Sequence, residues 1–249
     1  MVVAPPVVQF DSVDSTQAIA FVLAAEGATD GTAVVAAHQR EGRGRRGRTW
    51  TAPHGAALLV SILVRPLVEP PRIPLYSFVA AVATAETVET LAGVPPQLKW
   101  PNDVLIHGRK VAGILLEART VAGGDTVVAI GIGVNLRQTE FPGDLAKRAT
   151  SILLESGRDL APTPALAVLQ PALLDWRRRF EREGFTPIRQ RWLALTETLG
   201  RHVRVDGVEG IAVDLGDDGA LVLETDGVRR RVLAGDLEEV REGDDAARR

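Results

Sequence analysis

Residues 42–64 read GRGRRGRTWTAPHGAALLVSILV, and the segment after the glycines sets the architecture. The spacing Gly42-x-Gly44-x-x-Gly47 satisfies the dinucleotide-binding pattern, which must pass from a strand into a helix. Here the next segment, Ala56 to Val64, is a continuous apolar run with no N-cap before it, and it reads as a buried strand. A Rossmann site fails on that context. Four guanidinium groups, on Arg43, Arg45, Arg46 and Arg48, crowd the loop. Its glycines impose no conformation, and like charges so close repel. The expectation is a loop without firm structure of its own, which gathers around an anion. A solvated charge run would more usually carry both signs. A nucleic-acid patch would sit within a wider positive excess, whereas this chain has a net charge of −3.

At 249 residues the chain can bury a large core, as one domain with a small appendage. Cysteine is absent, which excludes a disulfide framework, a thiol nucleophile and a thiolate metal site. The opening MVVAPPVV lacks the basic and apolar regions of a secretory signal, and no apolar run reaches membrane-spanning length. A cytoplasmic protein without membrane contact is the simplest expectation. Only Lys99, Lys110 and Lys147 among the 29 basic residues are lysines. Two ammonium groups kept so close together in an arginine-biased chain suggest a site that needs a compact point charge, with chance as the alternative.

On the N-terminal side, Val7–Phe10 reads as a strand, and Asp14-Ser15-Thr16 as a helix start ending at Gly27. Ser15 and Thr16 are either caps or polar groups aimed into a site. Residues 32–37 form a strand that delivers His38 and Gln39 to the loop. Beyond the proline-rich stretch 66–74, Leu75, Phe78, Val79, Val82, Ala85 and Val88 recur at helical spacing, predicting an amphipathic helix on the sheet. In QLKWPNDVLIHGRKVAGILLE, residues 97–117, Pro101 interrupts a strand beside Asn102 and Asp103, where polar side chains can turn toward a ligand. His107-Gly108-Arg109 is a turn, and Lys110 opens a long strand broken by Gly113. A turn at 122–125 leads to a strand over Thr126–Val134, with Gly131 and Gly133 just before Asn135. Glycines inside strands mark close approach of a ligand or another backbone, so these strands describe the floor of a binding site. Helices follow over 166–180, where Pro171 should kink or split the first, and over 185–198. After Arg201, short alternating segments with DG-type turns predict a small β unit, and the tail past Glu242 reads as disordered. The scattered histidines (38, 54, 107, 202) read as structural or exposed.

GRGRRGRTW, KWPNDVLI, GRKVAGILLE and GIGVNL occur in this order. Together they resemble a biotin protein ligase. The resemblance implies an α/β catalytic domain of mixed sheet and packed helices, of the class II synthetase type, over 1–198. A small SH3-like β domain would follow over 199–242, with a disordered tail over 243–249. It implies activation of biotin by ATP to biotinyl-5′-adenylate, then transfer to a lysine of a biotin carboxyl carrier protein domain. Some members carry an N-terminal DNA-binding domain and act as repressors. Here the catalytic domain begins near Met1, so no repressor activity and no nucleic-acid partner are expected. Family members occur as monomers and as homodimers paired through the sheet. A lipoate-type ligase shares fold and chemistry but lacks the GRGRRG run.

The resemblance also implies roles. Ser15, Thr16, Gln17 and Gln39, with Gly42, Arg43, Gly44 and Arg45 of the loop, match biotin-contacting positions. The floor residues Gly113, Leu115, Gly131 and Gly133 are assigned to biotin as well. The family usually shows asparagine where this chain has Gln17. Arg45 would clamp phosphate and Arg48 the nucleotide, and Lys110 would touch the biotin carboxylate and stabilise charge at the reacting centre. Trp50 would cover the adenine, while Lys99, Asn102, Asp103 and Asn135 would face ATP. Asp103 is the candidate ligand for Mg2+.

Overall fold

The structure, a computed structural model, describes residues 5–121 and 123–240. The tail over 243–249, and Ala122 of the expected turn, lie outside them. Strand β1 (Val7–Val13) runs three residues past the expected Phe10, passes through helix α1 (Thr16–Ala25), and returns as β2 (Ala33–Gln39). β1 and β2 pair in parallel, which the intervening crossover helix permits. β3 (Ala57–Val64), α2 (Tyr76–Ala92), β4 (Gln97–Lys99), β5 (Asp103–Ile106), β6 (Arg109–Thr120) and β7 (Thr126–Asn135) follow. They complete a seven-stranded mixed sheet in the order β1-β2-β3-β7-β6-β5-β4. Two short helices, α3 (Leu145–Arg148) and α4 (Ile152–Ser156), precede the long α5 (Pro162–Glu183) and α6 (Thr186–Leu195). The chain ends in an antiparallel sheet of β8 (His202–Val205), β9 (Val208–Leu215), β10 (Leu221–Thr225), β11 (Val228–Val232) and β12 (Leu237–Glu239).

β3 is buried at every position because both faces of the sheet are covered, which is why it reads as an unbroken apolar run. Leu58, Val60, Ile62 and Val64 point into the main core with α2 and α5. On the other face Leu63 packs with Ala20, Phe21 and Ala24 of α1, while Ala57 and Leu59 pack with Ala52 and Trp50. Between those two small clusters the face carries Ser61, Gly131 and Gly133, and there the cavity forms.

Two expectations change. The helix expected to be amphipathic, α2, is buried around most of its circumference, because it lies between the sheet and the helices α5 and α6. Pro171 does not divide α5, which is continuous from Pro162 to Glu183. A proline there deprives the Ala167 carbonyl of its partner. Ala167 is exposed, so water can take that partner's place, while buried Leu166, Leu169, Leu173 and Phe180 hold the helix down. The second sheet adds Val203, Val205, Ala212, Leu215, Leu221 and Leu223 to the same hydrophobic cluster as α2. Among the described residues no helix is long and apolar enough to cross a membrane.

Candidate active site

A cavity of about 600 Å³ is bounded by the sheet face that carries Ser61, Gly131 and Gly133, the start of α1, the arginine-rich loop and β12. Its inner end is polar. Ser15 stands at the N-cap of α1, but its side chain makes no capping hydrogen bond. A distant residue caps instead: the Thr16 N–H donates to Gln39 Oε1 at 2.8 Å, and Thr16 Oγ1 lies 3.0 Å from the same oxygen and 2.8 Å from Ser61 Oγ. With its oxygen occupied, the Gln39 amide has only its NH2 left to offer the cavity. Gln17 has the opposite polarity. Its Nε2 donates to the carbonyls of Leu115 (3.0 Å) and Ala129 (3.3 Å), so its carbonyl oxygen remains. The extra methylene relative to asparagine lets this amide lie across Gly131, where an added Cβ would come within 3.0 Å of Gln17 Cδ.

The floor is a glycine pair, Gly113 on β6 directly opposite Gly133 on β7. Trp50 rests on it. A Cβ at Gly133 would fall 2.5 Å from Trp50 Cε2, and one at Gly113 3.1 Å from Trp50 Cζ3. Only a side chain reduced to hydrogen lets the indole approach this closely. Lys110 reaches the same face through an irregularity in β6. Val104 pairs with Ala112 while Leu105 pairs with Lys110, so Val111 is an extra residue without a partner on β5. Such a bulge re-aims the next side chain. Val111 and Ala112 both enter the main core, and Lys110 turns to the cavity side that strict alternation would deny it. There its Nζ lies 2.6 Å from Asp103 Oδ1 and 5.5 Å from the Trp50 ring centre.

The arginine loop has more structure than expected. Arg43 bridges Thr49, Gly44 N–H donates to the Arg48 carbonyl at 2.7 Å, and Trp50 N–H to the Gly42 carbonyl at 2.9 Å, making a narrow hairpin. The anions that gather its arginines belong to the protein. Arg43 pairs with Glu117 at 3.0 Å, Arg46 with Asp206, and Arg48 with Asp236. Arg45 is the exception: among the described residues it pairs with no carboxylate and donates only to the neutral Asn102 Oδ1, at 3.2 Å. Burial pulls its guanidinium below the ordinary value. Arg46 and Arg48 add to that effect, and Asp236 and Asp103 oppose it. A half-buried cation on a cavity wall without a counterion is a site prepared for an anion.

Of the residues assigned to biotin or ATP from the sequence, all but Gly42 line this one cavity, whereas Arg46, the remaining arginine of the loop, does not. The hairpin itself requires a glycine at position 42, because a Cβ there would collide with the Trp50 carbonyl oxygen. The Asn135 amide donates to the Thr150 carbonyl at 2.9 Å, and that of Asn102 to Ile114 at 2.6 Å, so both support the backbone as well as the cavity wall. Lys99 also lines the cavity, directly across the β4–β5 ladder from Asp103. Sequence reasoning missed Arg148 on α3 and Glu197, Asp236 and Glu238 on the second sheet's side. Gly235-Asp236, as a turn beside a short strand, was the only local hint. None of the histidines lines the cavity. Among the described residues no three His, Cys, Asp or Glu side chains cluster to hold a metal. Asp103, whose Oδ1 also meets Lys110, could hold Mg2+ only together with ligands that the ion brings, such as phosphate oxygens.

Comparison with known proteins accounts for this assembly. Residues 9–135 match the model of the biotin/lipoate A/B protein ligase family, and residues 198–238 that of the biotin protein ligase C-terminal domain. The biotin--[acetyl-CoA-carboxylase] ligase of Paracoccus denitrificans is 38% identical over 90% of this chain and 96% of its own. The bifunctional ligase/repressor BirA of Bacillus subtilis is 35% identical over 92% of this chain and 72% of its own. A structure of the biotin protein ligase from Aquifex aeolicus in complex with biotin and ATP superposes with a TM-score of 0.81, at 28% identity over 95% of this chain and 99% of that one. With both sheets matched and the cavity built from its motifs, the chain belongs to the biotin/lipoate A/B protein ligase family, among its biotin protein ligases.

Proposed function

We propose that this ligase activates biotin with ATP and transfers it to a lysine of a biotin carboxyl carrier protein domain. In the first step a biotin carboxylate oxygen attacks the α-phosphorus of ATP, the bond to the β-phosphate oxygen breaks, and pyrophosphate leaves. In the second, the carrier amine attacks the acyl carbon of biotinyl-5′-adenylate, the acyl–oxygen bond breaks, AMP leaves and the amine loses a proton to solvent. Both first-step reactants are anions, so cations must neutralise them before they meet.

The observation that carries the reading is Arg45, a half-buried cation that among the described residues pairs with no carboxylate, on the wall of a cavity whose floor also presents Lys110. Arg45 would bind the α-phosphate, and Lys110 the carboxylate and then the acyl-phosphate oxygen, acting as a charge stabiliser and not as a base. The inner end, with the NH2 of Gln39 and the carbonyl of Gln17, suits a cyclic urea, which offers both an acceptor and donors. Arg48 and Trp50 would meet the nucleotide, with Asn102 and Asn135 beside them. Mg2+ would be held by ATP phosphates and the Asp103 carboxylate, where it would neutralise phosphate charge. The Aquifex structure with biotin and ATP, and one from Leishmania major with biotinyl-5-AMP at 25% identity, support biotin and ATP as the reactants. The test is to incubate the protein with radiolabelled biotin, ATP and a carrier domain, with lipoate as the control acid. Label appears on the carrier only with biotin and ATP; an unlabelled carrier overturns the reading.

A further inference from the structure

Glu155 of α4 lies outside the cavity, yet its side chain is only 3% exposed. Three donors converge on its carboxylate: Thr150 Oγ1 at 2.5 Å, Arg109 Nη2 at 2.6 Å and His107 Nδ1 at 2.8 Å. Burial raises the carboxyl's affinity for a proton, but the bonds from Thr150 and His107 and the charge of Arg109 outweigh it and hold the group below the ordinary carboxylate range. A glutamate that merely solvated a short helix would face water. This one is desolvated and satisfied by residues from two other segments.

Those segments meet at the reacting centre. His107 lies in the turn before β6 and Arg109 is the first residue of that strand, next to Lys110, the residue that the bulge aims into the cavity. Thr150, fully buried, donates its backbone N–H to the Lys110 carbonyl at 2.9 Å and accepts the Asn135 amide at its own carbonyl at 2.9 Å. Lys110 and Asn135, which line the cavity from different strands, are thus tied to one residue, whose side chain Glu155 anchors from behind.

We propose that Glu155 is a positioning residue for adenylate formation: through Thr150 it holds the Lys110 backbone and the Asn135 amide in one frame. The inference rests on the ligase reading. Displacing a catalytic group by roughly an ångström costs on the order of a hundredfold in rate, and a frame loosened at its anchor should lose part of that. The experiment compares biotin-dependent pyrophosphate exchange in the wild type and in Glu155→Gln, Thr150→Val and Thr150→Ser, with hydrogen exchange at the Thr150 amide. Glu155→Gln and Thr150→Val lower kcat roughly tenfold, with KM for biotin and ATP within about twofold, and speed exchange of the Thr150 amide. Thr150→Ser, which keeps the hydroxyl, retains wild-type kcat. Unchanged kcat, a rise confined to KM, or equal loss in Thr150→Ser overturns the proposal. If Glu155→Gln fails to fold, the two Thr150 variants decide. A wild type without exchange activity would instead sink the ligase reading itself, a result distinct from an active enzyme indifferent to Glu155.

Discussion

Taken one side chain at a time, the loop arginines divide by what they face. Arg46 and Arg48 are exposed and bound to carboxylates, and such pairs contribute little energy. Arg45 is half-buried and, among the described residues, donates only to an amide. Arg45→Ala should therefore lower biotin-dependent pyrophosphate exchange about a hundredfold, the usual cost of about 3 kcal/mol for losing one preorganised donor to developing charge. Arg46→Ala should leave the rate within about threefold, because its partner is a surface carboxylate. Steady-state kinetics of both variants check the contrast, and equal losses would refute the division. The sequence marked the cluster but not the division, because adjacent arginines are alike until the fold supplies each with a neighbour.

Among strands and turns the glycine floor was legible and the bulge was not. Gly113, Gly131 and Gly133 interrupt apolar strands, and a missing side chain on a buried face signals close approach whatever the partner. The partner on Gly113 and Gly133 is Trp50, from a loop joining other strands. Periodicity could not place Lys110, since a strict period of two sends it to the helix-covered face, and only the extra Val111 reverses that. Likewise the cap on α1 comes from Gln39, 23 residues away, so a local reading of Ser15 as the cap misses it. These features predict the outcome of Gly133→Ala. No positive φ forbids alanine there, and the new methyl would meet the indole at 2.5 Å, so Trp50 must lift while the strand remains. The expected result is an unfolding midpoint within about 2 °C of wild type, altered tryptophan fluorescence and KM for ATP raised roughly tenfold. A wild-type KM would show that the indole does not depend on this floor.

Across the protein as a whole, the arginine hairpin ties the two sheets together. Arg46 reaches Asp206 and Arg48 reaches Asp236, across 160 and 188 residues of sequence. Such distances explain why neither aspartate was legible beforehand: hydrophobic pattern reports local faces, not which surface carboxylate a loop will meet. The hydrogen bond from Arg46 holds Asp206 below the ordinary carboxylate range. A depressed carboxylate stabilises the fold above its unfolded pKa, and the contribution is lost as pH falls through the folded value, so the latch persists at neutral pH and weakens only in acid. Both pairs are exposed, hence screened by salt. Trypsin cleavage at Arg43–Arg48 of the empty protein should therefore quicken several-fold between low salt and about 1 M, and in Asp206→Asn already at low salt, with biotin plus ATP suppressing it in each case. Rates indifferent to salt and to the substitution would show that the hairpin closes without these ion pairs.

The second sheet also has its turn at Gly219 pressed against α2 and the residue before it. A methyl group there would stand 2.6 Å from Phe78 and 3.2 Å from Leu75, and the Gly219 carbonyl accepts the Trp100 indole N–H at 3.2 Å. Residues 198–240 are accordingly no interchangeable cassette. A chimera importing that stretch from another ligase must bring matching versions of Leu75, Phe78 and Trp100, because half of every contact at the seam is owned by the larger sheet and its central helix.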